Sequence, residues 1–370
     1  MRKILFGITS LSIGGAERVL VDLANRLSDA YEITIFTIYG KGELEKELNE
    51  NIKLISMNEK SFREYSRLER LKISLRLLFK ENVAQGYDIY VAFLEGPITR
   101  LFSKAKAGRY DIKKIAWIHN DISKVFGTGI KAKIKTWTDK KIYKKYDKLI
   151  FVSEENQKDF EQVYGKNKKS EVVRNYLDYN KVIAKSEQDE ELPFEQNDIN
   201  LVTVCRLVEQ KAIDRFIKVH SKLENEGIHS KVYIVGDGQI RYNLQKQIDS
   251  LNETENFYLI GPRENPYPYI KYADYFCLLS YYEGYGMVLD EAKILQKPVI
   301  ITDTAAKESI QNYDKAIVLD NTEKGIYEGL KKVLTSDNII SMQIEEKTKL
   351  ENAEEYYDNI IRKIKGIFEF

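Results

Sequence analysis

The chain has 370 residues, which at roughly 150 per domain points to two domains. Its 58 Lys and Arg stand against 57 Asp and Glu for a formal charge of +1, a balance unsuited to coating nucleic acid. A 43% hydrophobic and 11% aromatic composition excludes wholesale disorder. Two cysteines, Cys205 and Cys277, each lie in an apolar run and read as buried small hydrophobes, not as a disulfide framework. They and the scattered His119, His220 and His229 leave no metal-ligand spacing, so no metal and no cofactor is expected. No run reaches about 18 apolar residues, so none is expected to span a membrane. The opening MRKILFGITSLSIGGAERVL has the basic tip and apolar stretch of a signal peptide but no small-residue cleavage site. A strand, a loop and a helix explain it better, and the expected location is the cytoplasm.

Short apolar runs then alternate with amphipathic ones. KILFGIT (3–9), YEITIFTIY (31–39), NIKLISM (51–57), YDIYVAF (87–93), KKIAWIH (113–119) and KLIFVS (148–153) read as strands, most of them apolar on both faces as in a covered parallel sheet. Helical spacing appears at 17–27 and 68–82. The acidic, Pro193-containing segment 181–199 reads as a linker or an exposed excursion between domains. A second series follows, with strands at 199–208, 230–238, 256–261, 272–280, 297–303 and 315–320. Its helices fall near 213–226, 240–251 and 287–296. The stretch 339–370 is helical and charged. The pattern defines an α/β protein of two doubly wound, Rossmann-like domains.

Three constellations could carry chemistry. Gly14 and Gly15 follow the first strand and open a helix, where paired glycines admit close approach and free N–H groups favour an anion; on spacing alone a tight turn is an equal explanation. The fingerprint G-x-G-x-x-G is absent. Glu283-Gly284-Tyr285-Gly286-Met287-Val288 lies between a strand and a helix that carries Glu291. A carboxylate there can accept two hydroxyl hydrogen bonds from a sugar or ribose diol, and the amides of Met287 and Val288 can face a phosphate. In isolation, Glu283 is more simply a residue capping that helix and Glu291 a surface residue. Arg206 and Lys211 follow the strand LVTVC and could neutralise a diphosphate, though such cations are more often solvated. Gly236-Asp237-Gly238 adds a small-residue loop at the same sheet edge.

The ordered set VCRLVEQKAIDRFIKV, YIVGDGQ and SYYEGYGMVLDEAKILQKPVIITD resembles the nucleotide-sugar half of retaining GT-B glycosyltransferases of family four. GGAERVLVDLA and VVRNYLD (172–178) resemble the first half of the same family, so the likeness covers nearly the whole chain. It implies two Rossmann-like domains facing across a cleft: an acceptor domain at 1–180 completed by a returning helix at 352–370, and a donor domain at 181–351. It further implies that Glu283 contacts donor sugar hydroxyls and Glu291 the ribose. Arg206 and Lys211 would bind the diphosphate with the amides of Gly286, Met287 and Val288, and Gly15 would face the donor phosphates. His119, in WIHND, matches a histidine the family places near donor sugar and acceptor. Departures occur at Ala212, where the family often has glycine, at Tyr176 after Asn175, and at Asp290 and Lys293.

The reaction so implied transfers a hexose from a nucleotide diphosphate, UDP by default, to a hydroxyl of a glycan or lipid-linked acceptor in capsule, exopolysaccharide or cell-wall glycan synthesis. Charge accumulates on the leaving diphosphate, and Arg206, Lys211 and two helix N-termini would meet it without a metal. No Asp-x-Asp motif occurs. A non-hydrolysing nucleotide-sugar epimerase and a non-catalytic nucleotide-sugar-binding protein are the rival readings. Residues 101–148 hold 14 Lys and Arg against four Asp. Lys131, Lys133, Lys135, Lys140, Lys141, Lys144, Lys145 and Lys148 are interleaved with Trp137, Ile142, Tyr143 and Tyr146. Lysines with aromatic anchors suit the anionic inner face of the cell membrane, the alternative being a solvated face. No nucleic-acid reading motif accompanies them.

Overall fold

Strands apolar on both faces must be covered on both faces, and the computed structural model shows how this chain does it. The structure describes residues 1–79, 85–105, 112–120, 122–125, 130–195, 197–311, 313–336 and 350–369. They form two units, Met1–Asp178 with Tyr357–Phe370, and Tyr179–Tyr356.

The first unit holds β1 (Lys3–Ile8), β2 (Glu32–Thr37), β3 (Lys53–Ser56), β4 (Ile89–Ala92), β5 (Lys113–Ile118), β6 (Lys148–Phe151) and β7 (Ser170–Val172). They pair in parallel in the order β3-β2-β1-β4-β5-β6-β7. The second holds β8 (Asn200–Val204), β9 (Lys231–Val235), β10 (Phe257–Gly261), β11 (Tyr275–Leu278), β12 (Val299–Thr302) and β13 (Ala316–Leu319), also parallel, in the order β10-β9-β8-β11-β12-β13. In each sheet the order reverses beside its first strand, between β1 and β4 and between β8 and β11. Connecting segments diverge at such a point and leave a crevice at the carboxyl ends of the strands.

The C-terminal helix Leu350–Glu369 joins the first unit through Tyr357, Ile360, Ile361, Ile364 and Phe368, a stripe at helical spacing and all buried. Phe368 packs edge-on against Phe6 and Tyr31 at ring distances of 6.1 and 5.8 Å. Arg26 closes on Asp358 at 3.0 Å, and Lys363 Nζ donates to the Val172 carbonyl.

Two expectations are corrected. The segment 181–199 is no free linker: it lies within the helix Tyr179–Ser186 at its start, and Phe194 packs on Tyr233 and Tyr269 while Tyr233 donates to the Pro193 carbonyl at 3.0 Å. Acidic composition misled here because a few apolar residues suffice to anchor a polar strap. Tyr143 and Tyr146, expected as surface anchors, are buried at 6% and 0% exposure in the first core, with Ile142 packed against it. Tyr146 donates to the Thr99 carbonyl, so its phenol is spent internally. Residues 80–82 of the expected helix 68–82 lie outside the described residues, as do 339–349 and, in the basic stretch, Lys106, Arg109, Asp111 and Asp121.

Candidate active site

In the second unit the chain leaves β8 through Cys205 and Arg206, then turns at Glu209–Lys211 into the helix Ile213–Asn225. Ala212 joins turn to helix in the left-handed conformation (φ 51°, ψ 35°), a region that favours glycine. Leaving β11, the chain passes Ser280, Tyr281, Tyr282 and Glu283 before the helix Met287–Ile294, which Gly286 caps at φ 71°. Glu283 is therefore not the capping residue.

Because β8 and β11 are neighbours, the two exits meet. Tyr281 N donates to the Gln210 carbonyl at 3.0 Å, and Gln210 Nε2 returns a bond to the Tyr282 carbonyl at 3.0 Å. Across this clasp Lys211 Nζ donates to Glu283 Oε2, which also accepts from Ser280 Oγ at 3.3 Å. The two charged side chains are only 13% and 12% exposed. The Arg206 side chain is exposed and makes no hydrogen bond or ion pair among the described residues, while its carbonyl accepts from the Val208 amide at 3.0 Å. The Cys205 thiol beneath them is pushed up to about 12 by burial, against the pull of Lys211 and Arg206. It is an inert packing group.

Gly236 and Gly238 hold the β9 exit against the β8 exit. A Cβ on Gly236, at φ 140°, would fall 1.9 Å from the Cys205 carbonyl oxygen, and one on Gly238 would fall 2.2 Å from that of Leu207. Gly284 faces open space, whereas Gly286 is tightly enclosed by Leu289, Ala306 and Leu278. Tyr285 is buried, and Met287 and Val288 begin the helix partly buried. Glu291, on the same helix, receives the Tyr267 hydroxyl at 3.4 Å. The departures Asp290 and Lys293 form one feature: Asp290, 1% exposed, meets Lys293 Nζ at 2.6 Å, and that ammonium also donates to the Ser309 carbonyl. Each residue alone would leave a charge poorly compensated; together they form a buried ion pair.

In the first unit Gly14 and Gly15 lie beyond β1, and Gly14 caps the helix Gly15–Leu27 with an extended backbone. His119 directly follows β5, its ring 4.7 Å from that of Phe93 and nearly parallel to that of Trp117. Its Nε2 is buried with no hydrogen-bond partner among the described residues, and burial lowers the imidazole to about 3. Sequence reasoning missed Glu95, beyond β4. Its carboxylate accepts from the His119 amide, from the Asn120 amide at 2.8 Å and from Asn120 Nδ2 at 2.9 Å. A carboxylate two residues past the strand 87–93, followed by Gly96-Pro97, was the available signal. His220, to which no role was assigned, is buried between Glu253 Oε2 at 2.8 Å and Ser230.

Two doubly wound parallel sheets, one with a Lys–Glu pair and an exposed arginine at its switch point, are the architecture of GT-B type. The sequence agrees. The family described as Glycosyltransferase Family 4 matches residues 13–181, and that described as Glycosyl transferases group 1 matches 184–352. The chain belongs to the family-four glycosyltransferases. It is 25% identical, over 92% of both chains, to an N-acetylgalactosamine-N,N'-diacetylbacillosaminyl-diphospho-undecaprenol 4-alpha-N-acetylgalactosaminyltransferase of Campylobacter jejuni. A second transferase of that organism, which adds alpha-1,4-N-acetyl-D-galactosamine to a diphospho-undecaprenol-linked glycan, is 28% identical over 91% of this chain and 90% of its own. Among solved structures, Anabaena HepE in complex with UDP and glucose superposes with a TM-score of 0.76 at 16% identity over the whole of both chains, a likeness of fold.

Proposed function

We propose that this glycosyltransferase moves a hexose-type sugar from a UDP-sugar to a hydroxyl of a glycan or lipid-linked acceptor, with retention at the anomeric carbon and without a metal. The observation that carries the reading is the Lys211–Glu283 pair at the β8 and β11 exits, with Arg206 exposed beside it. An ammonium has three donors, so Lys211 can hold Glu283 and still meet a phosphate oxygen. Arg206 adds a second cation, and the Met287 and Val288 amides add the positive end of a helix. Together they oppose the charge that accumulates on the departing diphosphate. Held by Lys211 and Ser280, the Glu283 carboxylate keeps lone pairs for the hydroxyls of the donor sugar, while Glu291 takes the ribose diol. In the first unit the backbone amides of Gly14 and Gly15 would serve the donor phosphates, and His119, neutral at physiological pH, offers its unspent Nε2 to a substrate hydroxyl.

The names of the two Campylobacter enzymes support a lipid-linked acceptor. The basic stretch supports a place for it. Trp137 is 61% exposed with Lys141 Nζ 3.4 Å from its ring centre, and Lys140, Lys144 and Lys145 are exposed beside it. No helix among the described residues is long and apolar enough to cross a membrane, so such contact would be peripheral.

A thermal-shift and hydrolysis screen across UDP-, GDP- and ADP-sugars, with and without EDTA, tests the reading. UDP-sugars should raise the melting temperature and release UDP equally in EDTA. Loss of release in EDTA restored by Mn²⁺ would refute the metal-free reaction. An isomer formed from donor alone would make the protein an epimerase, and binding without any released nucleotide a non-catalytic one.

A further inference from the structure

At the carboxyl end of a parallel strand the ladder stops, and the next amides need other acceptors. Pairing of β4 with β5 ends at Ala92 and Ala116, so the amides of His119 and Asn120 lie beyond it. Glu95 reaches across from the β4 exit and takes both of them, together with the Asn120 carboxamide. From the other side Asn156 Nδ2 donates to the Asn120 carbonyl at 2.7 Å, itself held on the helix Glu154–Tyr164 by the Ser153 cap. No cation among the described residues pairs with Glu95; burial pushes its carboxyl up, and the hydrogen bonds from the Asn120 amide and carboxamide, the His119 amide and its own backbone pull the other way. A desolvated carboxylate is costly for stability by itself, and a neutral loop could satisfy two amides with a backbone carbonyl. What three convergent bonds to one planar group add is direction.

We propose that Glu95 is a positioning residue for the transfer reaction, fixing the main chain at 119–120 and thereby the direction in which the His119 imidazole is presented. The inference rests on the reading that His119 stands at the reacting sugar. With the carboxylate in place, the ring is pinned against Phe93 and Trp117 by its own backbone; without it, the ring is free to turn toward solvent.

The test compares Glu95→Gln, Glu95→Asp and Glu95→Ala in the full chain. Gln keeps an oxygen for both amides and can pair with a flipped Asn120 carboxamide, so kcat should stay within about threefold. Asp cannot reach and Ala has no acceptor; kcat should fall ~10–100-fold, the scale of a misplaced group, with donor KM and UDP affinity nearly unchanged. Nitrogen-15 spectra of the imidazoles supply a readout independent of turnover. The chain has three histidines, and His119→Gln identifies the resonance. That resonance should move, and begin to titrate between about pH 5 and 7, in the Asp and Ala variants but not in Gln. An unmoved His119 resonance in Glu95→Ala overturns the proposal, as does equal loss of kcat in Gln and Ala, which would make the charge the working element. A loss matched by the unfolded fraction in thermal melts overturns it too. Absence of transfer by the unaltered protein would instead sink the functional reading, while the imidazole spectra would still decide the clamp.

Discussion

Lys211→Met keeps the aliphatic stem of the lysine and removes its charge. Glu283 is then left with one hydroxyl, Ser280 Oγ at 3.3 Å, for a carboxylate that is 12% exposed. Removing one partner of a fully buried pair costs about 3–5 kcal/mol. Some solvent still reaches both side chains, and screening brings the expectation to about 2–3 kcal/mol. Glu283→Gln should cost less, about 1–2 kcal/mol, because its amide oxygen still accepts from Lys211. The double variant loses the attraction only once, so the coupling energy should be at least about 1 kcal/mol. For a unit of this size the larger single loss lowers the melting temperature by about 5–10 °C. Urea melts of the three variants at matched m-values measure the cycle. Additivity within about 0.5 kcal/mol would refute the pair, and with it the argument that Lys211 is held ready for a phosphate by Glu283.

Other consequences are simpler to state. Gly236→Ala places a methyl 1.9 Å from the Cys205 carbonyl oxygen at a φ that L-residues rarely adopt; it should destabilise by more than about 2 kcal/mol in denaturant melts, and a neutral result would show that the β8 and β9 exits are not in contact. Arg206→Ala, at an exposed side chain, should leave stability within about 0.5 kcal/mol yet weaken UDP binding more than UMP binding by calorimetry; equal weakening would remove it from the distal phosphate. With burial lowering His119 to about 3, the unfolded chain takes up a proton near pH 6.5 that the folded protein refuses. This contribution to stability is complete above about pH 6.5 and lost as pH falls toward 3, by at most about 1.4 kcal/mol per pH unit. His119→Gln should flatten that slope, and an unchanged slope would place the ring in solvent. Changing Lys140, Lys141, Lys144 and Lys145 to Glu should abolish salt-sensitive pelleting with anionic liposomes and spare nucleotide binding; equal binding of the unaltered protein to neutral vesicles would exclude an electrostatic surface.

Much of this architecture was determined by local pattern. Runs such as KILFGI and KVYIV are apolar on both faces, and their alternation with amphipathic stretches admits little besides covered parallel sheets. The loops that carry Arg206, Lys211 and Glu283 could be placed at carboxyl edges for the same reason. Periodicity reports which face of an element is apolar, but not which element covers it. It could not separate Trp137, exposed, from Tyr143 and Tyr146, buried on the same lysine-rich stretch, because that depends on Phe160 and Tyr164 packing from another helix. Nor could it pair Lys211 with Glu283, 72 positions away, or Glu95 with His119 and Asn120. Those meetings follow from strand order: β11 lies beside β8 and β5 beside β4, so exits far apart in the chain become neighbours. Strand order is decided by the packing of whole sheets and their crossovers, a property of the folded chain that no single segment contains.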